Sequence, residues 1–416
     1  MALFGTLFKA CVAALFLALP VVAQADAAEF SARRGLNLDQ WVTWPQEPSW
    51  GEPDVLDPYP EWRKFVSADD LAALKDAGFD FLRMPVDPAP FLSPRTEAFR
   101  ERLFDDVLES ARMINRAGLK VVVDMHLIHS EGPAVGMQKV LGEDLAFETY
   151  LDVVRRMART LSREPADKVA FELMNEPGTE CDADGAAAWR ERQRRLHAAA
   201  RASATRLTLV LTGGCMSSAD GLAQVDPSDY PDENVIWTFH SYDPFLLTHQ
   251  GATWAGDFIR YVTGLPFPVD SVTRTELEAA TERVRERIRA EAPASRRDDM
   301  ISYLDEQISL IDTPEKLDAA MDEPFGTVGA WAARNGIAAE RILLGEFGMI
   351  RQEYGQDFRV PPAARAAYYD EMIARAEKAG FAWSMWSYGG AFGVVDEFEG
   401  RKAEPDVMEM VRGLKR

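Results

Sequence analysis

Eight short runs rich in Val, Ile, Phe and Trp recur along this chain, at 35–41, 79–86, 120–127, 169–175, 207–212, 235–242, 341–346 and 382–387. Longer stretches with apolar residues at helical spacing stand between them, and no Pro/Gly/Ser-rich linker divides the series. Strands covered on both faces read as continuous apolar runs, and strand–helix alternation produces parallel β/α units. Eight such units with helices outside predict a closed (β/α)8 barrel, a TIM barrel, in preference to an open sheet. Helices are expected over 67–77, 97–117, 143–163, 186–206, 314–335 and 361–379. Within 97–117, Leu103, Phe104, Val107, Leu108, Ala111 and Ile114 fall on one stripe. Gly78, Gly118, Gly336 and Gly380 stand just ahead of the next strand, as left-handed helix stops do.

One interval breaks the rhythm. From 244 to 340 nearly a hundred residues separate the sixth and seventh strands where a single helix would suffice, which predicts a large insertion over about 245–312 in an otherwise single catalytic domain, 26–416. The interval opens aromatic and Gly/Pro-rich (245–268) and continues as charged helical sequence (273–311). A solvated helical elaboration is the plainer reading; a lid over the barrel mouth is the alternative.

The chain has 416 residues with 46 basic and 67 acidic side chains, a formal charge of −21 that repels nucleic acid and anionic membranes. Residues 1–25 carry one charge, Lys9, then an apolar run from about 13 to 22 and a small-x-small site, Ala23-Gln24-Ala25. That pattern reads as a signal peptide. The run falls short of the ~20 residues of a spanning helix, and Pro20 interrupts it. Cleavage would remove Lys9 alone (−21 − 1 = −22) and export the protein to the periplasm or beyond, with no membrane attachment and a monomeric state expected. Cys11 leaves with that segment; Cys181 and Cys215 remain, as a disulfide or as two separate thiols.

Chemistry in such a barrel collects at the carboxyl ends of the strands. Those positions hold Arg83-Met84-Pro85, Asp124-Met125-His126, Asn175-Glu176-Pro177, His240-Ser241-Tyr242, Glu346-Phe347-Gly348 and Trp386. A lone acid at a strand end is more often a helix cap or an ion-pair partner. Glu176 and Glu346, however, end strands four and seven, which face each other across the mouth. Two carboxyl groups flanking one centre suit glycoside hydrolysis: about 5–5.5 Å between them gives direct attack and retention, about 6.5–9.5 Å admits a water and gives inversion.

The ordered set Gly35-Leu36-Asn37, Arg83-Met84-Pro85, His126, Asn175-Glu176-Pro177, His240-Ser241-Tyr242, Gly345-Glu346-Phe347-Gly348 and Trp386, spanning about 35–400, resembles glycoside hydrolase family 5, cellulase-like enzymes of a retaining barrel clan. The resemblance implies Glu176 as acid/base and Glu346 as nucleophile. It implies Arg83 and Tyr242 as the partners that keep Glu346 charged and aimed, and Asn175 as the donor to the sugar 2-hydroxyl. It also implies His126 and His240 as sugar ligands or orienting groups, and Trp386 as the platform under the reacting sugar. Trp41, Trp44, Trp50 and Trp254 stand in loops near the same face as candidate subsite aromatics, with Asp124 and His129 as less defined polar neighbours. Cys181 and Cys215 fall in adjacent loops, where a bridge would pin the acid/base loop.

Asp124-x-His126 with His240 hints at a metal-dependent hydrolase, but the first strand lacks the His-x-His such sites use, so no metal or cofactor is expected. A non-catalytic carbohydrate-binding barrel would normally lack one glutamate. The expected substrate is an oligo- or polysaccharide, most simply a β-1,4-glucan cut internally. Exo action, or a mannan, branched glucan or exopolysaccharide substrate, is the alternative within the family.

Overall fold

The computed structural model describes residues 29–39, 41, 47–52, 66–127, 136–395, 397–398, 401–402 and 405–414. The eight runs form eight strands: β1 (Arg34–Asn37), β2 (Phe81–Val86), β3 (Lys120–Met125), β4 (Val169–Glu172), β5 (Thr208–Thr212), β6 (Val235–His240), β7 (Ile342–Glu346) and β8 (Ala382–Met385). They pair in chain order, and β1 closes against β8 in parallel, so the fold is a (β/α)8 TIM barrel. Several strands end before their apolar runs do: β4 stops at Glu172 and β6 at His240. Apolar content does not distinguish the last ladder residue from a buried loop beyond it.

Side chains alternate across a strand, and that period builds tiers inside the barrel. The floor is apolar: Phe81, Val122, Ala170, Val210, Ile236, Leu343 and Ala382 cluster with Phe30 and Ala32, apart from the outer core. Two residues further along the same strands stand Arg83, Asp124, Glu172, Thr212, Thr238 and Ser384, with Asn37 on β1, all at most 1% exposed. The barrel interior is therefore apolar below and polar above. Gly35 belongs to the floor by omission, because a Cβ there would lie 2.3 Å from the Phe81 ring.

Outside, the helices lay apolar stripes against the strands. They are α1 (Ala68–Ala77), α2 (Arg100–Arg116), α3 (Asp144–Leu161) and α4 (Ala183–Arg201), and, after β5, the short α5 (Ala219–Ala223). The six residues expected on the α2 stripe are all buried. α4 starts three residues before the periodicity implies because Asp182 caps it, accepting the Gly185 N–H at 2.9 Å. The four glycine stops adopt φ of 115°, 80°, 66° and 78° in chain order.

Between β6 and β7 the chain forms α6 (Arg274–Glu291) and α7 (Arg297–Ser309) before α8 (Pro314–Asn335), with α9 (Pro362–Ala379) and α10 (Asp406–Gly413) following later strands. Leu277, Val284 and Ile288 of α6 and Met300 and Leu304 of α7 join the same apolar cluster as the barrel's outer layer. No helix among the described residues is long and apolar enough to cross a membrane. Residues 1–25 lie outside the described residues.

Replacing Gly35 by Ala forces Phe81 off the barrel axis. Urea unfolding of Gly35→Ala is expected to show a loss of about 1–3 kcal/mol, the usual range for overpacking a tight core.

Candidate active site

The two glutamates reach the mouth by different backbone devices. Past the end of β4 the chain stays tied to β3 through Asn175 N–H to Met125 O at 3.0 Å. Glu176 then turns at φ 37°, a left-handed conformation rare for a side-chain-bearing residue. Glu346 is the last residue of β7, and alternation from Leu343 would point it away from the interior. The β6–β7 pairing contains an irregularity, however: Phe239 faces Leu344 and His240 faces Glu346, which leaves Gly345 as an extra residue. Such a bulge re-aims the side chain that follows it. Only glycine fits there, since a Cβ would lie 2.5 Å from Thr238 Oγ1 and 3.0 Å from His240 Nε2.

Ligand atoms of Glu176, His240 and Glu346 all lie within 4.8 Å of one another. His240 Nδ1 is 2.8 Å from Glu176 Oε1 and 3.7 Å from Glu346 Oε2. The Tyr242 hydroxyl donates to Glu346 Oε2 at 2.8 Å, and Arg83 Nη1 donates to Oε1 at 2.7 Å. Burial pushes the His240 imidazole down to about 4, so it is neutral at neutral pH. Burial, and then the adjacent Glu346, push the Tyr242 phenol well up, which keeps it a donor. The carboxylates differ in exposure: the Glu346 side chain is 4% exposed and that of Glu176 24%.

Arg83 is the hub of the polar tier. Its Nε and Nη2 grip Glu172 bidentately at 2.7 and 2.8 Å, and Nη1 also reaches Asn37 Oδ1 at 2.9 Å. Nη2 also donates to Asn175 Oδ1 at 2.8 Å and lies 3.0 Å from Asp124 Oδ2. One cation thus faces three buried carboxyl groups. Burial raises Glu172 above its ordinary value and pushes Asp124 up to about 7, against the pull of Arg83 and with a further push from Glu176.

The chain matches the family model described as Cellulase (glycosyl hydrolase family 5) across residues 41–392. It belongs to glycosyl hydrolase family 5. Endoglucanase 3 of Fibrobacter succinogenes is 25% identical over 338 residues, covering 79% of this chain and 46% of that protein. Endoglucanase C of Acetivibrio thermocellus is 26% identical over 242 residues, covering 57% of this chain and 65% of that protein. This chain thus spans only half to two thirds of the length of these curated relatives. In fold, it resembles cellulose synthase subunit Z of Clostridioides difficile (TM-score 0.64, 21% identity, 91% and 99% coverage). It also resembles the endoglucanase Cel5A of Thermotoga maritima (TM-score 0.62, 19% identity, 91% and 96% coverage).

Around this family 5 centre, His126 Nδ1 lies 2.8 Å from Asp124 Oδ2 and its Nε2 lies 3.3 Å from Asn175 Nδ2. The contacts agree on one arrangement. Nδ1 carries the proton toward Asp124, Nε2 accepts from Asn175, and Asn175 Oδ1 accepts from Arg83. Trp386 stacks on His126 at 5.6 Å and 15°. Trp254 is 58% exposed and reaches Tyr242 through a chain of rings: 5.4 Å to His249, then 5.0 Å to Tyr242.

Some expectations need correction. Trp41 and Trp50 are 1% and 4% exposed and belong to the apolar core, so no sugar stacks on them. Sequence cannot separate an aromatic in a loop from one the loop folds inward. Trp44 and His129 lie outside the described residues. Cys181 and Cys215 form a disulfide. Glu172 and Asn37 join the site without being marked by a strand-end position in the sequence, although a charged residue inside a doubly covered apolar strand needs a buried counter-charge. Arg83 in β2 and Glu172 in β4 carried that signal.

Glu176, His240 and Glu346 are also the group, among the described residues, able in distance to hold a metal ion. Their atoms are already engaged: Glu346 accepts from Arg83 and Tyr242, and His240 Nδ1 pairs with Glu176.

Lys in place of Arg83 supplies charge without the fork. Arg83→Lys is expected to lower kcat by about 10²–10³-fold on the substrate cleaved, as loss of a preorganised donor does. For Asp124, the folded protein holds a proton that the unfolded chain releases above its ordinary 3.8, so the group's stabilisation is full below that pH and is lost as pH rises through about 7. The urea-unfolding free energy of wild type minus that of Asp124→Asn should therefore fall between about pH 4 and pH 7, by at most about 1.4 kcal/mol per pH unit. A flat difference would rule this out.

Proposed function

We propose that this protein is a retaining glycoside hydrolase that cleaves a β-linked glucan internally, as an endo-β-1,4-glucanase, by double displacement. The observation that carries the reading is the approach of the Glu176 and Glu346 carboxylates, with potential ligand atoms within 4.8 Å. Oxygens that close favour the ~5–5.5 Å group separation of a retaining pair over the ~6.5–9.5 Å an inverting pair needs for its water. Glu346 is the nucleophile. A carboxylate held by a guanidinium and a phenol, and nearly buried, is aimed and shielded from water. Glu176 is the acid/base, because it is the more exposed of the two and must exchange its proton with solvent between the halves of the cycle.

In the first half, Glu346 attacks the anomeric carbon while Glu176 protonates the departing oxygen. In the second, a water deprotonated by Glu176 releases the sugar from Glu346. Neutral His240 orients the Glu176 carboxyl. Asn175, locked by Arg83 and His126, presents its remaining amide proton toward the sugar 2-hydroxyl. Trp386 lies under the reacting sugar.

The glucan preference is supported by the two relatives named above, both endoglucanases. The loop after β6 supports an extended binding site: Phe245 and Trp254 are 45% and 58% exposed and join the Tyr242 ring system through His249. Export is supported by the signal-like pattern of residues 1–25.

Glu176→Gln and Glu346→Gln should each lose at least ~10³-fold in kcat while unfolding at the wild-type temperature. Proton NMR of early products from a β-1,4-glucan should show the β-anomer first, and turnover should survive a chelator. First appearance of the α-anomer would overturn double displacement, and metal-dependent turnover would overturn the assignment of roles.

A further inference from the structure

The loop after β5 contains three consecutive non-glycine residues in the left-handed region: Cys215, Met216 and Ser217, at φ 53°, 57° and 57°. L-residues visit that region singly, since each meets its own carbonyl oxygen. A run of three persists only where surrounding structure imposes it. Here the surroundings connect directly to Glu176.

Met216 N–H donates to the carbonyl of Pro177, the residue after Glu176, at 3.2 Å. Thr179 N–H donates to the same carbonyl at 2.8 Å, and Thr179 Oγ1 accepts the Cys215 N–H at 3.2 Å. The disulfide joins Cys215 to Cys181, with Cα atoms 4.7 Å apart. On the other side the turn is braced by close backbone packing. A Cβ on Gly214 would lie 2.4 Å from Thr179 Oγ1, one on Gly213 would lie 2.0 Å from the Gly221 carbonyl carbon, and one on Gly221 would lie 2.1 Å from Gly214 O. Ser218 caps α5 directly behind, accepting the Gly221 N–H at 3.0 Å.

We infer that the Cys181–Cys215 bridge and the left-handed turn it closes are a positioning device for the proton donor. They hold the Pro177 carbonyl, and through it the turn at Glu176, in the orientation that delivers the proton to the leaving group. Glu346, by contrast, is aimed by Arg83 on β2 and by Tyr242 just past β6. The bridge therefore acts through the acid/base group and leaves the aim of the nucleophile untouched. The inference rests on the assignment of Glu176 as acid/base.

Proton donation matters in proportion to the basicity of the leaving group, which gives a readout that general loosening would not produce. For Cys181→Ser/Cys215→Ser, kcat/KM should fall at least ~10-fold on phenyl β-cellobioside and on cello-oligosaccharides. On 2,4-dinitrophenyl β-cellobioside, whose phenolate leaves without a proton, it should change less than about 2-fold. The same substrate measures the folded fraction. Thr179→Val should shift the ratio in the same direction by less. Wild type treated with a dithiol, which is oxidised to its cyclic disulfide as the bridge becomes two thiols, should reproduce the double variant and recover on reoxidation. An equal fall on both aryl substrates, or no fall on either, overturns the inference. Glu176→Ala is the control: if it too lacks leaving-group dependence, the acid/base assignment fails instead.

Discussion

The barrel depends on one guanidinium. Arg83 sits fully buried in the tier above the apolar floor and meets Glu172, Asp124 and Glu346 within 3.0 Å. Burying an unpaired charge is prohibitive, and a buried pair is stabilising only when geometry and hydrogen bonding are complete. The planar fork meets that condition: its donors reach five side chains on four strands or their ends. The same contacts that make the polar tier tolerable also deliver a cation to Glu346, the proposed nucleophile. In the proposed mechanism stability and catalysis use one set of bonds, which places the site on the strands and not on the loops alone.

The two glutamates are held by different means, and the difference fits the roles proposed for them. Glu346 is fixed by two side-chain donors and shielded, so its carboxylate is held in one orientation. Glu176 is held through its backbone, by a left-handed turn bonded to a second left-handed turn, and through His240. It retains contact with water, as the proposed acid/base requires. Chemically identical side chains acquire distinct roles from environment.

Much of this was legible in the chain. The eight strands follow from doubly covered apolar runs, and the α2 stripe and the glycine stops follow from helical period and the φ > 0 requirement. Glu176, Glu346, Arg83, His126, His240, Tyr242 and Trp386 were found by their place at strand ends, and the structure gathers them at one mouth. Trp41 and Trp50 were not separable from surface aromatics, because burial of a loop side chain depends on what the rest of the chain brings over it. Glu172 carries no strand-end signal of its own, because it lies within an apolar run and only the closed barrel brings Arg83 against it.

Local order determined the strands, the helices and the choice of residues at the barrel mouth, because strand and helix periods, caps and glycine stops act over a few neighbours. Only the tertiary structure decided which acids share Arg83, that the extra residue Gly345 turns Glu346 inward, and that the loops after β4 and β5 are stitched together. Each of these is a contact between segments far apart in the chain, settled when the barrel closes and each interior charge takes its partner.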